Sequence, residues 1–267
     1  MNLIEAPAAV APKGSQEHAG GHYYELLPSG AWVPLYSEGG TFTLRDARKL
    51  KAAGRIVCPS VTSIFKVLHK ESLQDWLKEQ VALAAWDNPA DHNDDKQEWI
   101  DATIARADGV SGGAMTLGTR IHKRVEEAIA GRPYDDGVAL YVEAVMEARE
   151  ECGVRTLSVE KCVGNADIGY AGRCDELADL MTVCDIKSRK SKNGKVATYA
   201  TDAAQTAAYG YAEWGEAFLT SGRGLIFGVS TTEPGVVTVH EYGPKELTAA
   251  FQAFVGMVAV WSWEKSW

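Results

Sequence analysis

The chain has 267 residues, 46% hydrophobic and 24% charged, with 27 basic against 36 acidic side chains and a formal net charge of −9. This composition excludes a wholly disordered chain, a fibre and a small disulfide scaffold. The acidic balance taken alone argues against nucleic acid, because phosphate binding rests on local positive potential. At about 150 residues per domain the length fits one to two domains. The longest apolar run, Phe254 to Trp261, falls far short of the roughly 18 residues a spanning helix needs, so no membrane partner is expected. Met1 to Pro7 has neither a basic leader nor an apolar core, which reads as no secretory signal. The 5 cysteines form no Cys-x-x-Cys pair. Buried thiols in a reducing cytoplasm are the expectation.

Taken in order, residues 1–21 are rich in Ala, Pro and Gly without periodicity and read as a flexible arm. Residues 22–267 read as one domain, with 22–116 mainly helical and 117–267 the core that carries chemistry. His22 to Tyr36 suggests a short hairpin. Pro59-Ser60-Val61-Thr62 starts a helix through hydroxyl capping, with Ile64, Val67 and Leu68 as its apolar face. Leu73, Trp76, Leu77, Val81 and Ala84 or Ala85 continue that spacing. The acidic stretch 91–108 gives a third helix, 117–130 a fourth, and Asp135 to Cys152 a fifth, with Leu140, Val142, Val145 and Met146 on one side. From 157 the period changes to that of strands: Leu157–Val163, Gly169–Leu177 and Thr182–Ser188. A helix over Thr198–Phe218 follows, then strands Gly224–Ser230 and Val236–Tyr242. The last helix, Pro244 to about Trp263, carries Phe251, Phe254, Val255, Val258 and Trp261 as its stripe. The order predicts a mixed α/β fold in which a helical region precedes a mixed sheet.

The segment from Gly172 to Lys187 holds the densest chemistry. Its two strand-like halves are joined by few residues, which predicts a tight antiparallel hairpin. If the turn centres on Leu180, Asp175 faces Asp185 and Arg173 faces Lys187. Opposed carboxylates lie about 5 Å apart and want a cation or a shared proton. Lys187, two residues on, shares the face of Asp185, and Cys174 and Cys184 turn to the other face. Two carboxylates and a lysine suit divalent-metal chemistry on a phosphodiester. The same pattern also suits a solvent-facing hairpin with surface ion pairs. Upstream, Leu117-Gly118-Thr119 reads as a helix start that places His122 and Glu126 on one face. Downstream, Gln205 and Tyr209 stand one turn apart. Two basic clusters offset the acidic average: Arg45, Arg48, Lys49, Lys51 and Arg55, and then Lys187, Arg189, Lys190, Lys192 and Lys195.

With these residues in place, the chain resembles the PD-(D/E)XK nuclease superfamily in its RecB-like exonuclease branch, near the phage exonucleases and the mitochondrial genome maintenance exonuclease. The matching elements are Gly118-Thr119 with His122 and Glu126, Gly172 with Asp175, Asp185-Ile186-Lys187, and Gln205 with Tyr209. Pro59 to Ile64, with Leu73 and Trp76, adds an upstream likeness to phage members. The resemblance covers about 57 to 242. It implies a restriction-endonuclease-like core: a mixed sheet with an antiparallel three-stranded meander flanked by helices, plus an N-terminal helical region.

That resemblance further implies that His122, Asp175, Asp185 and the carbonyl of Ile186 bind Mg²⁺, with Mn²⁺ substituting. Lys187 would be the catalytic lysine, with His122, Asp175 and Asp185 beside it. Gln205, Tyr209 and Glu126 would support the site, and Glu160 would reach a second metal. Arg120, Lys123, Arg124, Arg189, Lys190 and Lys192 would contact DNA, and Trp76, Trp86 and Trp99 would stack on bases or pack in the core. No cysteine set follows Cys184, so no iron–sulfur cluster is expected. Asp185 stands where many relatives have Glu. The function expected is metal-dependent exonucleolytic hydrolysis of linear DNA, single- or double-stranded, leaving 5′-phosphates. The expected setting is the cytoplasm of a bacterium or phage-infected host, in phage recombination with a recombinase or annealing protein as partner. The alternatives are a structure- or sequence-specific endonuclease of the same fold, a DNA-binding protein that has lost the chemistry, and a hydrolase of small phosphate esters.

Overall fold

The computed structural model describes residues 22–37, 42–68, 71–91, 95–133 and 136–267; the side chains of 71–73, 76, 110–116 and 136 fall outside that description. The expected arm 1–21 and the side chains of Leu73 and Trp76 therefore lie outside the described residues.

β1 (Tyr23–Leu26) and β2 (Trp32–Pro34) form the expected antiparallel hairpin. A capping box between Thr43 and Asp46 starts α1 (Leu44–Ala52). The chain then returns as β3 (Ile56–Pro59) on the free edge of β1, which gives a small sheet in the order β2-β1-β3. Pro59 thus closes a strand, and the helix begins one residue later. Ser60 caps it, its Oγ accepting from the Ser63 amide at 3.0 Å. The resulting α2 (Val61–Ile64) is a single turn continued by a 3₁₀ turn, Phe65–Val67, so Leu68 lies beyond the helix.

α3 (Glu71–Asp87) forms where the spacing predicts a helix and packs on α4 (Lys96–Ile129). Of its expected apolar face, Leu77 and Val81 are exposed while Ala84 and Ala85 are half-buried; off that face, Leu83 is exposed and Trp86 is 84% exposed. α4 is one helix of 34 residues where the sequence reading expects two. Gly109, Gly112 and Gly113 interrupt the apolar spacing, but each costs a helix only about 1 kcal/mol relative to Ala, and no proline stops the backbone. Asp95 caps the start, accepting from the amides of Gln97 at 2.9 Å and Glu98 at 3.0 Å. After a 3₁₀ turn, α5 (Ala139–Glu151) buries Val142 and Val145, while Leu140 of the same expected face is exposed.

The main sheet follows as β4 (Thr156–Asn165), β5 (Tyr170–Ala178) and β6 (Thr182–Arg189), an antiparallel meander. α6 (Ala200–Trp214) and α7 (Glu216–Ser221) then carry the chain to β7 (Arg223–Ser230), which runs parallel to β6. The expected single helix breaks at Gly215, whose φ of 62° suits glycine. β8 (Val237–Tyr242) closes the five-stranded order β4-β5-β6-β7-β8. α8 (Pro244–Glu264) ends the chain and buries Phe251, Phe254, Val258 and Trp261, while Val255 of the expected stripe is exposed.

Two cores cover the two faces of this sheet. Val183 packs with Ala204, Ala207, Phe218, Leu247, Phe251 and Phe254 of α6, α7 and α8. Its neighbour Cys184 joins Ile186, Leu225 and Phe227 against Ile121, Val125, Val142 and Val145 of α4 and α5. Adjacent strand residues enter opposite cores because the pleat alternates. Each fully buried aliphatic or aromatic side chain contributes roughly 1.5–3 kcal/mol. The sheet is held from both sides, and its middle strands are rigid enough to position polar groups. The mixed α/β class matches the sequence expectation. Among the described residues, no helix is long and apolar enough to cross a membrane.

Candidate functional site

The site forms where β5 and β6 part. Near the turn their register is the one expected from a centre at Leu180: Ala178 faces Thr182, Leu177 faces Val183 and Glu176 faces Cys184. Leu180 and Met181 make the tight turn with φ of 53° and 51°. Beyond Cys184 the ladder stops. The expected cross-strand pairs of Asp175 with Asp185 and Arg173 with Lys187 are not formed. Asp175 Oδ2 instead accepts a hydrogen bond from the Ile186 amide at 3.0 Å. On the other edge of β5 the ladder passes from Val159–Glu176 to Lys161–Cys174, leaving Glu160 unpaired with φ of 54°.

This distortion interrupts the pleat. Glu176 turns toward α5, where Arg149 holds it at 2.5 Å, yet Cys174 two residues earlier lies in the core under α6 and α8. Cys184 lies in the opposite core. The two thiols therefore do not share a face, contrary to expectation. Arg173 pairs with Glu160 at 2.6 Å, so it opposes a carboxylate and not Lys187.

α4 brings His122 to the gap, with Nδ1 3.6 Å from Asp175 Oδ2 and 36% of the side chain exposed. Burial holds the His122 pKa below its usual value; Asp175 and a hydrogen bond with the Ile186 backbone act against this, while Lys187 adds to it. Glu126, one turn further, lines the same cleft with Glu160, Asp175, Glu176 and Ile186. It also pairs with Arg132 at 3.2 Å. Asp185 is 1% exposed, and its charged neighbour is Lys187. Lys187 Nζ stands 2.6 Å from Oδ2, a buried ion pair. Burial pushes the Asp185 carboxyl up to about 7, with Lys187 opposing and Asp175 reinforcing the shift. Burial likewise pushes Glu160 up to about 7, reinforced by Asp175 and opposed by Arg173. For Lys187, burial disfavours the ammonium, but Asp185 and Asp175 outweigh it and raise the pKa.

Gln205 reaches the same lysine from α6, and Tyr209 reaches Gln205. Lys187 Nζ donates to Gln205 Oε1 at 3.1 Å, and Gln205 Nε2 donates to the Tyr209 hydroxyl at 3.4 Å. Tyr209 fits because residue 172 is glycine: a Cβ there would stand 2.7 Å from Tyr209 Cε1. On the α4 side, a Cβ on Gly118 would lie in ordinary contact with Ser188, 3.4 Å from its Cβ, so the helix that carries His122 runs beside the end of β6.

The remaining predicted contacts divide. Lys190 and Lys192 are exposed, as is Arg120; Lys123 is half-buried, and Arg124 pairs with Glu127 at 2.6 Å. Arg189 is engaged within the protein: Asp202 holds both its terminal nitrogens at 2.7 Å, and it donates to the Ala197 carbonyl at 2.8 Å. Trp99 donates to the Asn88 carbonyl at 3.0 Å. Sequence reasoning missed Asp202 and the buried Arg149–Glu176 pair. Asp202 carried one local signal, its place three residues into a helix start, where its carboxylate also caps the Tyr199 amide.

The donor chemistry suits a hard divalent cation: Glu126, Glu160 and Asp175 line one cleft with His122, whose pKa burial lowers. Asp185 is more deeply buried than any of these carboxylates, and the ammonium of Lys187 balances its charge. Among the described residues, no three His, Cys, Asp or Glu side chains are already close enough to hold an ion. No protein-family model matches the chain, and no curated protein matches it.

Proposed function

We propose that the chain is a metal-dependent deoxyribonuclease with a PD-(D/E)XK core, hydrolysing phosphodiester bonds from DNA ends. The observation that carries this reading is the buried carboxylate of Asp185 in an ion pair with Lys187, on the strand that parts from Asp175 beside His122. His122, Asp175, Asp185 and the Ile186 carbonyl would hold Mg²⁺ or Mn²⁺, which supplies Lewis-acid polarisation and a nucleophile at neutral pH. Glu160, which lines the same cleft, would serve a second ion.

Lys187 carries the role that needs no cofactor. Its ammonium is kept charged by Asp185 and Asp175 and aimed by Gln205. A fixed cation of this kind, in a site partly shut from water, stabilises the charge that builds on a phosphate as it is attacked. Tyr209 and Gly172 keep Gln205 in place, so the lysine does not have to be oriented during reaction.

The test is cleavage of end-labelled linear and circular DNA, single- and double-stranded, with Mg²⁺, Mn²⁺ or EDTA. Metal-dependent loss of linear substrate with circles intact is the expected result. Cutting of circles would replace the exonuclease with an endonuclease, and binding without cleavage under either metal would overturn the enzyme reading.

A further inference from the structure

Just past Lys187 the chain forms a small lysine-bearing tongue that the site chemistry does not use. Lys192 and Lys195 exchange backbone hydrogen bonds, the Lys192 amide to the Lys195 carbonyl at 2.8 Å and the reverse at 3.2 Å. Asn193 and Gly194 between them have φ of 54° and 69°. That is a two-residue turn of the primed kind, which suits Asn-Gly and fixes the hairpin. The tongue is anchored at its base. The Ser191 hydroxyl bonds Ser230, Thr232 and Glu233. Val196 is 1% exposed and packs where a Cβ on Gly228 would clash. The Val196 amide donates to Thr238 Oγ1 at 3.0 Å, and its carbonyl meets His240 Nε2 at 2.8 Å. Lys190, Lys192 and Lys195 stay exposed, and none is paired with a carboxylate among the described residues.

Beside the tongue, Tyr199 is 58% exposed at the start of α6. The guanidinium of Arg189 lies 4.2 Å from its ring centroid. Asp202 occupies the fork of that guanidinium, so Arg189 serves as a buttress under the ring and not as a phosphate contact. Arg189 shares a strand face with Lys187 and Asp185, because residues two apart point the same way. One ring face is thus held from below by a cation fixed to the strand that carries Lys187, and the ring lies open to solvent.

We propose that Tyr199 on Arg189, with Lys190, Lys192 and Lys195 of the tongue, is the dock for an unpaired DNA strand end, the tyrosine stacking on a base while the lysines follow its phosphates. A rigid aromatic with an open face beside fixed cations is the pairing by which proteins hold single strands irrespective of sequence. Stacking needs a base face that a duplex hides, so Tyr199 selects unpaired ends and the lysines act on any strand. The dock serves the nuclease reading for its purpose, but its test does not depend on cleavage.

The experiment is fluorescence-anisotropy binding by the full chain in EDTA, with a labelled single-stranded oligonucleotide and a blunt duplex of the same sequence. Tyr199→Ala should weaken single-strand binding about tenfold and leave the duplex unchanged, while Tyr199→Phe binds as the wild type. Lys192→Ala with Lys195→Ala should weaken both substrates and flatten the salt dependence on single strands by about 0.7 in slope per lysine. Equal single-strand affinity for Tyr199→Ala and wild type would overturn the dock, and so would equal losses on both substrates. Tyr199-dependent binding by a wild type that cleaves nothing with Mg²⁺ or Mn²⁺ would support the dock and overturn the nuclease reading. Cleavage by wild type with no Tyr199 dependence of binding would do the reverse.

Discussion

The carboxylate of Asp175 accepts the Ile186 amide at 3.0 Å, at the point where β5 and β6 cease to be a ladder. One side chain there replaces a strand–strand hydrogen bond and so holds the gap beside His122. A carboxylate acceptor of this kind contributes roughly 1.5–3 kcal/mol.

Asp175 therefore has separable structural and chemical roles. Asp175→Asn keeps an oxygen acceptor for Ile186 and should denature close to wild type, with cleavage lost. Asp175→Ala leaves the amide without its partner and should lose about 1–3 kcal/mol in urea unfolding as well. Equal stability of the two variants would show that the bond does not hold the gap.

Lys187→Ala should abolish cleavage and also destabilise the fold at neutral pH, because it strands Asp185 in the interior. Breaking one partner of a buried ion pair costs about 3–5 kcal/mol. The double variant Lys187→Ala with Asp185→Asn should recover most of that stability and none of the activity. Thermal unfolding of the four proteins measures the coupling.

Gly172→Ala tests the support of the lysine from a distance. The added methyl would stand 2.7 Å from the Tyr209 ring, so Tyr209 must move and Gln205 with it. An overpacked core site loses about 1–3 kcal/mol. Cleavage should fall roughly a hundredfold if Lys187 is displaced by about an ångström. A variant that is destabilised but fully active would separate Tyr209 from the site.

Arg189→Ala should lower the melting temperature more than it changes the salt dependence of DNA binding. Its pair with Asp202 joins the end of β6 to the start of α6. Lys192→Ala should show the opposite pattern, with stability kept and the salt dependence reduced.

Metal addition should couple to pH in a defined direction. Burial raises Asp185 from 3.8 to about 7 and Glu160 from 4.5 to about 7. The native state then binds more protons than the unfolded one between the ordinary and raised values, so these groups make stability fall as pH rises through that window. A divalent cation at Asp185 needs that carboxyl ionised and reverses its part of the loss when it binds. The rise in melting temperature on adding Mn²⁺ should be small near about pH 5.5 and grow toward about pH 8, and Asp185→Asn should remove it.

Local features of the site were legible in the sequence where short spacings governed them. The few residues around Leu180 set the turn, and the expected register holds at Glu176–Cys184. The four-residue step from His122 to Glu126 puts both in one cleft. The parting of the strands was not legible, because it depends on the left-handed backbone of Glu160 on another strand and on a side-chain bond across the gap. Arg189 read as one more member of a basic cluster, since its partner Asp202 comes into reach only when α6 folds back on β6. β3 was hidden for a local reason: its four residues end in the proline that also resembles a helix start. Amphipathic spacing predicted α3 but not its surroundings, and Leu77 and Val81 face solvent.

The most direct measurement is the cleavage rate of end-labelled linear DNA with Mn²⁺ or Mg²⁺ for wild type, Asp185→Asn and Lys187→Ala purified side by side. A metal-dependent wild-type rate that falls at least a hundredfold in both variants, with DNA binding in EDTA retained, is the predicted result. Equal rates in all three would place any cleavage outside this site and contradict the account.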